Sequence, residues 1–256
     1  MSSSSSSSSS SSTIISKESI HRLLKDIKEI MKNPLTDHGI YYLHDDEDML
    51  KGYALIIGPK DTPYFGGNYF FELKYPTDYP HSPPKVKYCT NGEDIRFNPN
   101  LYKCGRVCVS ILNTWRGDQW TSCQTISSVL LALCTLLCDQ PLLNEPGVHK
   151  GHPDVNNYHK IIEYANLNIA VTKIVSKKEG FYLPFFDSFE TYVKEHFKKN
   201  IDQLLDYAEK KKIEFPDSLV LTTNLYSMKV TINYSKVIKQ LLECKKQMTI
   251  VDNRIC

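Results

Sequence analysis

The chain has 256 residues, 41% hydrophobic and 23% charged, close to globular averages of roughly 45–50% and about 25%, so disorder throughout is excluded. Thirty-one basic residues against twenty-nine acidic ones give a formal charge of +2, which argues against nucleic acid or an anionic membrane as the main partner. Eight cysteines without a basic-then-apolar N-terminal signal point to reduced thiols in the cytoplasm, or also the nucleus, and no apolar run approaches the roughly 20 residues of a spanning helix.

Residues 2–12 are eleven consecutive serines, and residues 1–15 are expected to form a disordered leader. Ser16 is a candidate N-cap for an amphipathic helix with Ile20, Leu23, Leu24, Ile27, Ile30 and Met31 on one stripe. Lys17, Arg22, Lys25, Lys28 and Lys32 decorate its other side, and Asn33-Pro34 ends it. Residues 39–43, 53–57, 68–75 and 85–88 then read as strands of an antiparallel meander, separated by Gly58-Pro59, Gly66-Gly67 and Pro83-Pro84. The acidic run 45–48 lacks a calcium-loop pattern and reads as a hairpin turn. Residues 98–120 show little periodicity and predict a long ordered loop carrying function. A helix from 121 or 124 to 139 would bury Ile126, Val129, Leu130, Leu133, Leu136 and Leu137, before residues 141–147 break it.

Beyond Asp154 the pattern is helical again. Phe185, Phe189, Val193, Phe197, Ile201, Leu205 and Ala208 predict a long amphipathic helix closed by Lys210 to Lys212, whose charge suits a helix C-terminus. Residues 231–248 predict a terminal helix with Val237, Ile238, Leu241 and Leu242 inward. The order of elements is that of an α+β fold: a core domain over 16–153 and a mainly helical extension over 154–256.

The informative window is 97–112, where Cys108 follows a glycine in an irregular segment and Asn98-Pro99-Asn100 forms a turn upstream. A thiol is the natural nucleophile for holding an acyl group as a thioester, and an asparagine amide can stabilise an oxyanion or pin a loop without adding charge. The bland alternative is that Cys108, between Val107 and Val109, is a small buried hydrophobe. A papain-like hydrolase could be drawn from Cys108, His149 or His152, and Asn166, but the Cys–His interval is short and no nucleophile-helix signature accompanies it. Cys104, Cys108, Cys134 and Cys138 lack zinc-ligand spacing, His149, His152 and Asp154 read as a polar loop, and no phosphate-binding glycine loop is present, so neither a metal nor a cofactor is expected.

A wider set of motifs bears on the cysteine. Gly58-Pro59-Lys60-Asp61-Thr62-Pro63-Tyr64-Phe65-Gly66-Gly67, Tyr75-Pro76-Thr77-Asp78-Tyr79-Pro80, Pro83-Pro84-Lys85-Val86, Asn98-Pro99-Asn100, Gly105 to Cys108, and Trp120 resemble the ubiquitin-conjugating enzyme family, in order and with nearly its spacings, over roughly residues 16–150. The longer segment 113–120, the Asn144-Glu145-Pro146-Gly147 stretch and Tyr234-Ser235 leading into Val237-Ile238 resemble the large Z-type members. Ser110-Ile111-Leu112-Asn113-Thr114-Trp115 is also similar to the conjugating domain of the giant inhibitor-of-apoptosis protein.

The resemblance implies the family fold: an N-terminal helix, a four-stranded antiparallel sheet, an active-site loop and C-terminal helices. It implies that Cys108 takes ubiquitin or a ubiquitin-like modifier from an activating enzyme as a thioester and passes it to a lysine of a protein substrate, directly or with a ligase. Asn100 would stabilise the oxyanion or the loop, and Asn98 replaces the family's histidine, a departure shared by the Z-type. Tyr102 would line the acceptor groove, and Glu145, with Asn144 as the alternative, would orient the incoming lysine. Lys17, Arg22 and Lys25 would face the activating enzyme. His81, Ser122 and Cys123 stand at ligase-contact positions where many members have phenylalanine, proline and alanine, so pairing with ordinary RING ligases is not expected. ATP would be consumed by the activating enzyme. The rival function is a catalytically weak binding module of the same fold.

Overall fold

The computed structural model describes residues 15–255. The leader expected over 1–15 therefore lies, apart from Ile15, outside the described residues. Helix α1 (Lys17–Lys32) begins where Ser16 caps it, the serine oxygen accepting from Ser19 N–H at 3.0 Å. Leu23, Ile27 and Ile30 face the core, whereas Met31, expected on that stripe, is 72% exposed in the last turn of the helix.

The four predicted strands form as β1 (Ile40–His44), β2 (Lys51–Ile57), β3 (Asn68–Lys74) and β4 (Lys85–Tyr88), paired antiparallel in the order β1-β2-β3-β4. Residues 45–48 make the first turn, with the Asp45 carboxylate accepting from Glu47 and Asp48 N–H groups. Alternation along the strands sends Ala54, Ile56, Tyr69, Phe71, Leu73 and Tyr88 to one face, into the main core under α1. Tyr41, Leu55 and Phe70, which are register partners, point to the opposite face.

That second face is covered by chain from beyond residue 153. A 3₁₀ segment, Pro184–Phe189, lays Phe186 flat on Phe70 with ring centroids 3.7 Å apart, and helix α5 (Glu190–Glu214) follows. Tyr192 of α5 stacks on Tyr41 at 4.2 Å, and the Tyr41 hydroxyl lies 2.5 Å from His196 Nε2.

The remaining elements complete the main core. Helix α2 (Ile126–Thr135) is shorter than expected; it starts with a capping box between Thr125 and Ser128, and turns replace the last predicted residues. Helix α3 (Asp154–Ala165) runs through a π-helical stretch, Asn166–Val171, into the short α4 (Thr172–Val175). Within that stretch Asn166 reaches the Gly58–Gly67 turn: its amide donates to Phe65 O at 2.9 Å and its carbonyl accepts from Tyr69 OH at 2.7 Å. A side chain on Gly67 would collide with that oxygen at 1.9 Å. Leu23 of α1 and Leu241 of the last helix belong to one apolar cluster, so residues on either side of position 153 share a core.

Three expectations for the tail are corrected. The terminal helix expected from 231 starts later: β5 (Leu219–Thr222) and β6 (Lys229–Ile232) pair as a hairpin, and helix α6 (Tyr234–Ile255) starts only after Asn233, whose side chain accepts from Lys236 N–H. Leu242 is 49% exposed, because 3.6-residue geometry turns it away from the face of Val237 and Leu241. In α5 it is Leu204, not Leu205, that is buried, and the helix runs past Lys212 to Glu214.

Candidate active site

Residues 98–108 fold back on themselves without regular structure, held by a dense set of local bonds. Asn98 is fully buried; its amide donates to Leu136 O at the end of α2 at 2.8 Å and its carbonyl accepts from Asn100 N–H at 2.8 Å. Asn100 and Cys108 then bond reciprocally: Cys108 N–H donates to Asn100 O at 2.9 Å, and Asn100 Nδ2 donates to Cys108 O at 2.6 Å. Between them Gly105 turns at φ +89°, with the Tyr88 carbonyl within 2.9 Å of where a Cβ would sit. These bonds set the cysteine at the end of a rigid loop, with the Asn100 amide committed to the cysteine's own carbonyl, the loop-pinning one of the two roles considered for it.

Cys108 itself is only 3% exposed, and its thiol donates to Thr114 O at 2.8 Å. Thr114 is fixed in turn by its hydroxyl, which accepts from Val109 N–H and donates to Val109 O. The segment 113–119 beyond is mostly exposed, including Trp115, and closes through Trp120 N–H donating to Asn113 Oδ1. The longer loop noted in the sequence thus lies over the thiol.

Tyr102 and Glu145 belong to a second cluster built around Arg96. The Arg96 guanidinium donates to Pro99 O at 2.5 Å and Asn98 O at 3.2 Å, and lies 3.5 Å from the Tyr102 ring centroid and 4.7 Å from that of Tyr226. Tyr226 OH donates to Glu145 Oε2 at 2.6 Å. Arg96, Thr114 and Tyr226 were invisible to sequence reasoning. Thr114 acts through a backbone carbonyl, and Tyr226 approaches from more than a hundred residues away in a turn without glycine.

The residues expected to meet partners divide. Lys17, Lys25, His81, Ser122 and Cys123 are exposed. Arg22 is not free in this way: its guanidinium donates to Ser122 O, Gln124 O and the Asp26 carboxylate, and stacks over Tyr79. Tyr79 OH also donates to the buried Asp26, and Trp120 Nε1 donates to Pro80 O at 2.7 Å. The first helix and the loops bearing His81 and Ser122 are thereby joined into one surface, with Arg22 as its internal fastener.

His149 and His152 accept backbone N–H groups of Gly151 and Asp154, and Asp154 accepts from Asn224 and Leu225, so these polar residues close turns. Both polar ends of Asn166 are taken by Tyr69 and Phe65, and the Cys108 thiol is taken by Thr114, so the papain-like arrangement is not formed.

A family model described as ubiquitin-conjugating enzyme matches residues 22–165, which contain Asn98, Asn100, Cys108 and Glu145. Ubiquitin-conjugating enzyme E2 Z of Danio rerio is 38% identical over 221 residues, spanning 81% of this chain and 67% of that protein. The Homo sapiens protein of the same name is 37% identical over 82% of this chain and 63% of its own length, so the chain spans about two thirds of these relatives. The dual E2 ubiquitin-conjugating enzyme/E3 ubiquitin-protein ligase BIRC6 of Homo sapiens is 40% identical over 55% of this chain and 3% of its own.

Proposed function

The chain belongs to the ubiquitin-conjugating enzymes, with the Z-type members as its relatives, and from that premise we propose that Cys108 is the residue that carries the modifier. Ubiquitin or a ubiquitin-like modifier arrives as a thioester on an activating enzyme; the Cys108 sulfur attacks its carbonyl, the enzyme's thiol leaves, and a new thioester forms. The amine of an acceptor lysine then attacks that carbonyl, forming an isopeptide bond and returning Cys108 as a thiol, directly or with a ligase. No metal or cofactor enters either step, since ATP is consumed earlier by the activating enzyme. The observation that carries this reading is the reciprocal Asn100–Cys108 pairing inside the family-matched segment, which fixes Cys108 at the end of a pinned loop.

Cys108 is 3% exposed and its thiol donates to the Thr114 carbonyl, so loading requires that bond to be given up and the thiol to be uncovered. Glu145 and Tyr102 are assigned to the acceptor side, where burial of the lysine would favour the neutral, attacking amine and the Glu145 carboxylate would orient it. Lys17 and Lys25 on the exposed face of α1 suit the activating enzyme, and the joined surface of His81, Ser122 and Cys123 suits a ligase. All seven described cysteines are unpaired, in keeping with a cytoplasmic or also nuclear site where a carrier thiol stays reduced. The rival binding module is not favoured, because both Cys108 and Asn100 are in place.

Incubation with activating enzyme, ATP and modifier should give an adduct that reductant removes and that Cys108→Ala abolishes. An adduct that survives in Cys108→Ala overturns the assignment. Asn100→Ala, which frees the Cys108 carbonyl and loosens the loop, should still charge but discharge to free lysine on the order of tenfold more slowly. Equal discharge removes its role.

A further inference from the structure

The turn between β5 and β6 is built at a cost that its own sequence does not explain. Tyr226 and Ser227 both adopt left-handed backbone, at φ +63° and +48°, which side chains other than glycine rarely take. The strain is held from three sides. The Asp154 carboxylate accepts from Asn224 and Leu225 N–H groups, Thr223 N–H donates to Met228 O, and the Met228 sulfur accepts from Arg96 N–H at 3.3 Å. Strain over-determined in this manner marks a side chain whose direction matters, and the direction here is that of Tyr226.

Its ring and hydroxyl do separate things. The ring lies against the Arg96 guanidinium, which also lies over Tyr102, and Arg96 holds the carbonyls of Asn98 and Pro99, the turn from which Asn100 bonds Cys108. The hydroxyl donates to one oxygen of Glu145. A carboxylate so held keeps its other oxygen and remaining lone pairs for an incoming ammonium, and loses the freedom of its rotamers. Burial and the Glu145 carboxylate together push the Tyr226 phenol well above its ordinary value, so it stays a donor across the working pH range.

We propose that Tyr226, supplied by the C-terminal extension, is a positioning residue for the acceptor side of the site: it orients Glu145 toward the incoming lysine and braces, through Arg96, the turn that carries Asn100. The proposal rests on the reading of Cys108 as the carrier. It also assigns the extension a task in catalysis, because residue 226 lies outside the family-matched segment 22–165.

The test separates loading from discharge in the full chain. Wild type, Tyr226→Phe, Glu145→Gln and the double variant are charged with modifier, and the second-order constant for discharge is read from the dependence on free lysine concentration. Tyr207→Phe removes a comparable extension hydroxyl, the one that donates to Glu163, and serves as the control for loss of a bond in the scaffold. Tyr226→Phe should charge like wild type and discharge about 3- to 10-fold more slowly, with no further loss when Glu145 is already Gln, while Tyr207→Phe discharges normally. Discharge of Tyr226→Phe at the wild-type rate, or an equal slowing by Tyr226→Phe with and without Glu145, overturns the proposal. Absence of any Cys108 adduct on the wild type overturns the underlying reading instead.

Discussion

Asn98 stands where the family's motif has a histidine, and the geometry shows how an amide fills that place. The carbonyl of Leu136 is left over at the end of α2, as carbonyls at helix ends are, and the Asn98 amide satisfies it while the same side chain accepts from Asn100 N–H. One buried side chain thus ties a helix terminus to the turn beside Cys108. Asn98→Ala leaves both groups buried without partners, and stability should fall by about 2–3 kcal/mol, read as a lower urea midpoint with unchanged slope. A midpoint within error of wild type would mean that neither bond matters. At this scale the candidate site was legible only inside a short contiguous motif. Cys108, Asn100 and the Asn98 substitution were visible for that reason. Arg22, read as a surface charge, is also bonded to Asp26 and to backbone carbonyls about a hundred residues away, and the latter carry no sequence signature.

Elements were more legible than residues, and the failures have geometric causes. The four strands of the sheet were found within a few residues because turn residues bracket them. Their near-continuous apolar runs, such as Tyr53 to Ile57, also reflect burial on both faces, the second under Pro184–Phe189 and α5. The four-residue repeat from Phe185 onward overreached, because each step of four gains about 40° on a helix of 3.6 residues per turn and drifts off the face. The protein instead begins with a 3₁₀ segment and then buries Val193, Phe197, Ile201, Leu204 and Ala208, inserting one step of three. The hairpin of β5 and β6 was missed since four-residue strands are too short to establish alternation, and the cap bond of Asn233 that sets the start of α6 went unread, so the helix was begun at 231. The buried phenylalanine of the pair 185 and 186 decides how firmly the extension grips the sheet. Phe186→Ala should cost about 3–5 kcal/mol and Phe185→Ala less, since Phe186 is fully buried on Phe70 and Phe185 is only partly so. Equal losses in thermal melts would show that the stacked ring is not the grip.

Across the whole molecule, the shared core makes α3 and α5 parts of one cooperative body, so a single ion pair between them is read in global unfolding. Glu163 of α3 lies among Lys211 and Tyr207 of α5 and His159 one turn away, with Lys211 Nζ at 2.9 Å. Burial alone would raise its carboxyl, but hydrogen bonds from His159, Tyr207 and Lys211 outweigh it and hold the value down from 4.5 to about 2. A carboxylate more acidic in the folded than in the unfolded chain binds fewer protons when folded at intermediate pH, so its stabilisation is complete above about 4.5 and drains away toward 2. That shift corresponds to roughly 3 kcal/mol at neutral pH. Glu163→Gln should therefore melt well below wild type at pH 7, and the gap should close steadily as both are titrated from pH 5 to pH 2.5. A gap that stays constant over that range would mean that the pair is no more favourable folded than unfolded.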